Sequence, residues 1–166
     1  DAMETSSAPV IVTHSSSAAV CYHDRAKSDK LAKAIADQGG FFGVVVIPGF
    51  LQESTEATLD DFARHVEHLV DVMGIDHVGI GTDFTQDQPF SFWRYIGSQQ
   101  GTKFPSTFQD GSVDYTEVEL YPKGIETPDE MSNVAIALMA RGYGKEDILK
   151  ILGANWVRLS RDVWPS

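Results

Sequence analysis

The sequence predicts an α/β fold in which parallel strands alternate with helices, and three observations lead to this prediction. The first is a pair of apolar runs without polar alternation, 9–14 and 41–47, which are typical of strands covered on both faces. The second is a stretch at about 59–73 whose apolar residues recur with the period of a helix. The third is the order strand–helix–strand–helix–strand, which is the pattern of parallel βαβ units.

Capping residues and glycines define the ends of the predicted helices. Ser28 and Thr58 can each accept a hydrogen bond from the first turn of a helix, and Gly39 and Gly74 can end those helices. Pro48 ends the second strand. The predicted elements are a strand at 9–14, a helix over about 29–38, a strand at 41–47, a helix over about 59–73 and a strand at about 77–82.

The carboxyl-terminal part of the sequence predicts two further helices. The stretch 127–130, Thr-Pro-Asp-Glu, is a capping box with proline in the first turn, so a helix is expected from there to about Ala140. A short helix over 145–152 is expected to stop at Gly153, and a last turn follows at 154–159.

Between the third strand and these helices lies a long segment, 85–126, that is rich in aromatic residues, glycine, proline, serine and glutamine. A loop of this length inside a domain is usually functional. Two interpretations stay open: a lid over the site, or a structural excursion that packs on the rim of the sheet.

Three strands alone would expose unpaired backbone groups and apolar faces at their edges. A complete (β/α)8 barrel takes about 250 residues. We therefore expect the 166 residues to form one domain that is the last three β/α units of a TIM-type barrel, with the first five units absent. Residues 1–7 read like the end of a helix that leads into a buried strand, as if the chain began inside a larger protein.

Composition excludes some classes of partner. The formal net charge is −11, which argues against binding to nucleic acid or to an anionic membrane. The sequence has no apolar run near the ~20 residues needed to span a bilayer and no recognisable signal peptide. Cys21 is the only cysteine, which excludes an internal disulfide and favours a reducing compartment such as the cytoplasm.

Two of the predicted strands end in a side chain that can bind a metal or transfer a proton. The first strand runs into His14 and three serines, and the third ends in Gly81-Thr82-Asp83-Phe84. In α/β barrels the carboxyl ends of the strands carry the chemistry. A lone histidine after a strand is more often structural, and a lone aspartate there is more often a cap, so the pair is informative only together with the rest of the pattern.

The segments "PVIVTHSS", "HVGIGTDF" and "GANWVRL" resemble the carboxyl-terminal half of the membrane (renal-type) dipeptidases, metal-dependent hydrolases of the amidohydrolase superfamily. The resemblance covers essentially the whole chain. Its spacing is specific: a histidine at a strand end, an arginine eleven residues later, and a glycine-flanked strand that ends in Asp-Phe.

The resemblance implies a role for three residues. His14 matches a metal-ligating histidine, and imidazole suits Zn²⁺. Arg25 matches the arginine that binds the terminal carboxylate of the substrate, for which a planar guanidinium is well suited. Asp83 matches the aspartate that takes a proton from the metal-bound water and passes it to the leaving amine.

The resemblance also implies a dipeptide substrate, two zinc ions and, as in many members, a homodimer. The family takes its remaining metal ligands from earlier strands, which this sequence does not contain. The implied activity therefore requires the amino-terminal half of the barrel. Two alternatives stay open: another amidohydrolase reaction, such as that of a lactonase or deaminase, and an inactive or partner-requiring fragment.

Other histidines and the cysteine are predicted to have no catalytic role. His65 and His68 have neither of the spacings found in zinc-protease helices and are interpreted as flanks of an apolar stripe on an outer helix. His23 is interpreted as a loop residue, although it lies near the predicted site. His77 begins a strand at the end opposite the chemistry, and Cys21 has no nucleophile motif around it.

Overall fold

A computed structural model of the chain describes residues 2–53, 56–85, 88–89, 91–92 and 121–164. Within these residues one parallel sheet is formed by three strands: β1 (Ile11–Ser15), β2 (Phe41–Val44) and β3 (Val78–Ile80). Their order is β1-β2-β3, so β2 pairs with both neighbours. The predicted α/β class with parallel strands is therefore confirmed.

Helices lie before, between and after the strands. Those that precede β3 are α1 (Ala2–Thr5), α2 (Asp29–Asp37), α3 (Pro48–Leu51) and α4 (Leu59–Met73). Those that follow it are α5 (Met131–Ala140), α6 (Lys145–Leu149) and α7 (Asn155–Val163). Short 3-10 turns at Ile75–His77 and Pro128–Glu130 lead into β3 and α5, and a wide turn at Lys150–Ala154 joins α6 to α7.

The helices α2 and α4 begin where their capping residues predict. The Ser28 hydroxyl accepts a hydrogen bond from the Leu31 amide at 3.4 Å. At α4 the capping is reciprocal: Thr58 Oγ1 accepts from the Asp61 amide, while Asp61 Oδ2 accepts from the Thr58 amide at 2.9 Å. The two predicted helices are thus confirmed, and each is the connection between two parallel strands.

The core lies between the sheet and helices α2, α4 and α5. All four residues of β2 are buried, because β2 has a strand on either side and helices over it. The apolar stripe of α4, with Phe62 and Leu69 fully buried, packs in the same cluster as Ile35 of α2 and Leu138 of α5. Burying a side chain of this size stabilises the fold by roughly 1.5–3 kcal/mol.

Two elements differ from the prediction. The ladder of β2 ends at Val44 rather than at residue 47, and the chain then turns into the short helix α3 at Pro48. Gly153 does not stop the last helix, because the chain continues through the wide turn into nine-residue α7. Asn155 explains this continuation: its buried side-chain amide donates to the carbonyls of Ile75 and Val78, at 2.7 and 2.8 Å, and thereby fixes the start of α7 against β3.

Of the long segment predicted at 85–126, the structure describes only residues 85, 88–89, 91–92 and 121–126. The choice between a lid and a structural excursion therefore falls mostly on residues outside those described. Its far end packs on the core: Tyr121 is buried, and its hydroxyl accepts a hydrogen bond from the Thr85 amide at 2.7 Å. Among the helices that the structure describes, none has the length and hydropathy needed to cross a bilayer.

Candidate active site

The candidate site lies at the carboxyl edge of the sheet, where three segments meet. The loop 16–27 follows β1, the segment 45–52 follows β2, and residues 81–85 follow β3. Backbone hydrogen bonds join the segments beyond the strands: the Val45 amide donates to the Ser15 carbonyl, and the Gly81 amide donates to the Val44 carbonyl, both at 2.9 Å. His14 and Asp83 therefore stand on one edge, as their strand-end positions predict.

A β-bulge lies in β1 at the position of His14. Val12 pairs with Phe42 and Ser15 with Val44, so the two residues Thr13 and His14 face Gly43 alone. Bulges bend a strand and redirect its side chains, and they are common beside active sites. Here the bulge occurs in the strand that carries the predicted metal ligand.

Two glycines let the other strands approach this bulge closely. A Cβ atom built on Gly43 would lie 2.2 Å from the Thr13 carbonyl oxygen, and one built on Gly81 would lie 1.9 Å from it. The same added atom on Gly81 would be 3.1 Å from the Cα of His14. Because Asp83 follows Gly81 by two residues, this contact brings the ends of β1 and β3 close together.

His14 and Arg25 are in direct contact. The Nη2 atom of Arg25 lies 3.4 Å from Nε2 of His14, and Nδ1 of His14 lies 2.8 Å from Oγ1 of Thr13. A guanidinium group can only donate, so Nε2 of His14 must be the acceptor and the ring proton must be on Nδ1, where it donates to Thr13. The half-buried imidazole thus carries its lone pair on Nε2, the atom that a metal ion would bind.

The backbone of the loop 16–27 holds Arg25 in this position. The carbonyl oxygen of Arg25 accepts from Oγ of Ser15 at 2.8 Å and from Nζ of Lys27 at 2.6 Å. The loop is closed by a parallel bridge in which the Lys27 amide donates to Ser16 and the Lys27 carbonyl accepts from Ala18. Burial lowers the pKa of the Lys27 ammonium, and the nearby Arg25 charge acts in the same direction.

Phe50 of α3 supports Arg25 from below. The guanidinium carbon is 5.0 Å from the centre of the Phe50 ring, a cation–π distance, and Phe50 is buried. The ring of His23 packs on the same phenylalanine, with 4.3 Å between ring centres, and its Nδ1 accepts from the Arg25 amide. Burial lowers the pKa of His23. The loop histidine is therefore adjacent to the site, a position that its place in the sequence alone did not establish.

Asp83 has an unusual backbone conformation. Its φ is +57°, in the left-handed region, where Asp and Asn are the non-glycine residues most readily accommodated. Residues held in this region often occur at functional sites. The half-buried Asp83 is followed by Phe84, whose ring packs edge-on against Tyr121 with 4.8 Å between centres. The residue after the third strand is thus held in place by packing on both sides of the long segment.

The described residues do not by themselves form a metal site. No group of three or more His, Cys, Asp or Glu side chains that could hold an ion occurs among them. His14 offers one nitrogen donor, whereas zinc sites in proteins use three or four protein ligands. The donor set in this part of the chain therefore does not fit a complete zinc centre. What it can do by itself is present an imidazole nitrogen, a guanidinium and a carboxylate at one edge of a sheet.

One buried polar residue near the site was not identified as such from the sequence. His65 was interpreted as a flank of the apolar stripe of α4, but it is fully buried, with Nδ1 accepting from the Ser17 amide at 3.1 Å and Nε2 donating to the Leu51 carbonyl at 3.0 Å. Its spacing gave a signal, because it stands three residues after Phe62 and four before Leu69, both in that stripe.

The other candidates outside the site have structural contacts. His68 is half-buried with Nε2 2.8 Å from Oδ1 of Asp29, and Nδ1 of His77 is 2.9 Å from the Gly40 carbonyl oxygen. Cys21 is buried, and burial raises the pKa of its thiol, which lowers its reactivity. These positions agree with the prediction that none of the three acts in the chemistry.

Comparison with known proteins identifies relatives of the chain. Residues 1–92, just over half of the sequence, match the family described as membrane dipeptidase (peptidase family M19). Dipeptidase verJ of Clonostachys rogersoniana is 42% identical over 161 residues, which is 95% of this chain and 32% of verJ.

Two solved structures are similar in fold as well as in sequence. An amidohydrolase from Pseudomonas aeruginosa superposes with a TM-score of 0.85 at 34% identity over 99% of this chain and 48% of its own. A metallopeptidase from Rhodobacter sphaeroides, liganded with a phosphinate mimic of the dipeptide L-Ala-D-Ala, gives a TM-score of 0.73 at 27% identity over 98% of this chain and 38% of its own. The chain thus spans between about a third and a half of the length of these relatives.

Proposed function

The chain belongs to the membrane dipeptidase family, peptidase family M19, and from this premise we propose that it supplies the carboxyl-terminal part of a dipeptidase active site. In this proposal the chain forms the last three β/α units of a TIM-type barrel. The substrate is a dipeptide with a free carboxylate at its carboxyl end.

One observation carries the proposal: Nη2 of Arg25 lies 3.4 Å from Nε2 of His14 at the carboxyl edge of the sheet. A group that can bind a carboxylate therefore stands beside a group that can bind a metal. In a dipeptide the terminal carboxylate and the scissile carbonyl are separated by one residue, so their binding groups must be close neighbours. Arg25 and His14 meet this requirement.

In this proposal each of the three residues has a separate task. Arg25 binds the terminal carboxylate and fixes the direction in which the dipeptide lies. Asp83 takes a proton from the attacking water as its oxygen bonds to the scissile carbonyl carbon. The same carboxyl group then gives that proton to the leaving amine as the C–N bond breaks.

His14 contributes one nitrogen ligand to the metal centre of the complete enzyme, which we propose to contain two zinc ions. When bound, such ions acidify a shared water and polarise the scissile carbonyl. The remaining ligands come from strands outside this chain, because the described residues offer only His14 at the site. The outer edges of β1 and β3, which have no strand partner among the described residues, are where those strands would join.

Substitution of Asp83 by asparagine tests the proposed function in the complete enzyme. Asparagine tolerates the left-handed backbone of this position as well as aspartate does, so Asp83→Asn removes the charge with little effect on the fold. We expect hydrolysis of L-Ala-D-Ala and L-Ala-L-Ala to fall by at least about 10²-fold while the zinc content of the purified protein is retained. Near-normal turnover by Asp83→Asn would contradict the role assigned to this residue.

The 166-residue chain alone is a second test. We expect it to be inactive with added zinc and to gain dipeptidase activity when the remaining part of the barrel is supplied. Zinc-dependent turnover by the isolated chain would contradict the requirement for further strands. A complete enzyme that hydrolyses lactones or deaminates amines, but cleaves no dipeptide, would assign the chain to another amidohydrolase reaction.

A further inference from the structure

We propose that His65 is a positioning residue for the Arg25 carboxylate site, because it joins the loop that carries Arg25 to the segment that carries Phe50. This inference rests on the proposed function for its kinetic consequences. Its structural content, the joining of the two segments, concerns only this chain.

The geometry of His65 is that of a two-sided connection. Its ring is fully buried between α4 and the two segments. On one side Nδ1 accepts from the amide of Ser17, in the loop 16–27, and on the other Nε2 donates to the carbonyl of Leu51, at the end of α3. A neutral imidazole with its proton on Nε2 satisfies both partners, whereas a protonated ring would bring an N–H against the Ser17 N–H.

Each of these contacts leads to Arg25 through a short chain of described interactions. Ser17 forms a parallel bridge with Lys27, and Nζ of Lys27 donates to the Arg25 carbonyl. Leu51 directly follows Phe50, whose ring lies under the Arg25 guanidinium at 5.0 Å. His65 is thus linked to both the backbone of Arg25 and the aromatic ring that supports its side chain.

Substitutions at this position can separate the two connections. Phenylalanine fills the ring volume but leaves the Ser17 amide and the Leu51 carbonyl without a side-chain partner. Asparagine can keep an acceptor near the position of Nδ1, and glutamine can keep a donor near the position of Nε2. The matched control is His68→Phe on the same helix, because His68 contacts Asp29 and neither segment of the site.

Amide hydrogen exchange on the 166-residue chain tests the structural connection. In His65→Phe we expect the Ser17 amide to lose at least about tenfold in protection, while amides in the middle of α4, such as that of Leu69, keep theirs. His65→Asn is expected to retain the protection of Ser17, and His68→Phe to leave it unchanged. Unchanged protection of Ser17 in His65→Phe would overturn the proposal, as would equal losses throughout α4, which would indicate general destabilisation.

Kinetics of the complete enzyme test the consequence for Arg25. The readout is the ratio of kcat/KM for a dipeptide to that for its carboxyl-terminal amide. We expect His65→Phe to reduce this ratio about tenfold through KM for the free acid, with kcat little changed, and His65→Asn and His65→Gln to recover part of it. His68→Phe should have the ratio of the unmodified enzyme.

A double substitution distinguishes positioning of Arg25 from an independent effect. If His65 acts through Arg25, adding His65→Phe to Arg25→Ala should not reduce the ratio further. Additive losses, or a fall in kcat at constant ratio, would overturn the proposal. An unmodified enzyme with no preference for the free carboxylate would instead contradict the proposed function, and the exchange result for Ser17 would still decide whether His65 joins the two segments.

Discussion

Gly81 lies against the carbonyl of Thr13 so closely that a Cβ atom at Gly81 would stand 1.9 Å from the carbonyl oxygen. The neighbouring atoms are backbone on both sides, so no flexible side chain can move aside. Thr13 is part of the bulge that includes His14, and Gly81 precedes Asp83 by two residues. Glycine at this position therefore allows the two ends of the candidate site to approach each other.

Gly81→Ala is expected to lower the free energy of unfolding by about 3 kcal/mol, because overpacking against backbone forces the strands apart. Denaturant titration of the chain measures this change. The control is Gly49→Ala, at an exposed position of α3 where an added Cβ meets nothing within 4 Å. Equal stability of the two variants would contradict the close packing of β1 and β3.

Asn155→Ala is expected to lower the free energy of unfolding by about 2 kcal/mol or more, because it leaves two buried carbonyls without their donor. Those carbonyls belong to Ile75 and Val78. Thermal or denaturant unfolding measures the loss. Asn133→Ala is the comparison, since Asn133 makes one hydrogen bond, to the Gly124 carbonyl, at a half-buried position. A loss at Asn155 no larger than that at Asn133 would mean that α7 is not fixed through this amide.

Stability is expected to fall as the pH is lowered below about 6.5, and His65 is expected to contribute to this fall. Burial lowers the pKa of His65 from 6.5, with Arg64 and His68 acting in the same direction and the Leu51 hydrogen bond and Asp61 opposing. Below pH 6.5 the unfolded chain therefore gains a proton that the folded chain does not, and the free energy of unfolding decreases until the pH reaches the folded pKa.

The measurement is the free energy of unfolding at pH 7 and pH 5.5, in the unmodified chain and in His65→Gln. We expect the unmodified chain to lose about 1 kcal/mol more than the variant between these values. His23, whose pKa burial also lowers, contributes equally to both proteins. The same loss in both proteins would show that His65 does not titrate between its two states as assigned.

Arg25→Lys is expected to raise KM for dipeptides about tenfold in the complete enzyme and to change kcat much less. Lysine keeps the charge but cannot bind a carboxylate through two parallel hydrogen bonds or stack its head group on Phe50 in the same way. Steady-state kinetics with a dipeptide and its carboxyl-terminal amide check this, because the amide should be affected little. Equal effects on both substrates would place Arg25 outside the carboxylate site.

Local features of this sequence predicted local structure well. Ser28 and Thr58 mark the starts of α2 and α4 because a capping hydroxyl acts on the three residues that follow it. The parallel class followed from unbroken apolar runs such as 41–47. The edge on which His14 and Asp83 lie followed from their places after strands, since carboxyl ends of parallel strands share one edge of the sheet.

Features that depend on contacts between distant segments could not be predicted in this way. The partners of His65 are Ser17 and Leu51, 48 and 14 residues away along the chain, so only the folded arrangement makes its burial favourable. The support of Arg25 by Phe50 has the same origin. Gly153 was expected to stop the last helix, and a tertiary hydrogen bond from Asn155 overrides that preference.

The extra residue in β1 has a consequence for anyone who would transplant this strand into another scaffold. Side chains of a regular strand alternate between its faces, so odd and even positions define inside and outside. Thr13 and His14 together occupy one step of the ladder, and this breaks the odd–even count halfway along the strand. A designer who idealised the strand by deleting one of them would restore a regular ladder and reassign the side of every later position. The imidazole would keep its place in the alphabet of the protein and lose its place in space.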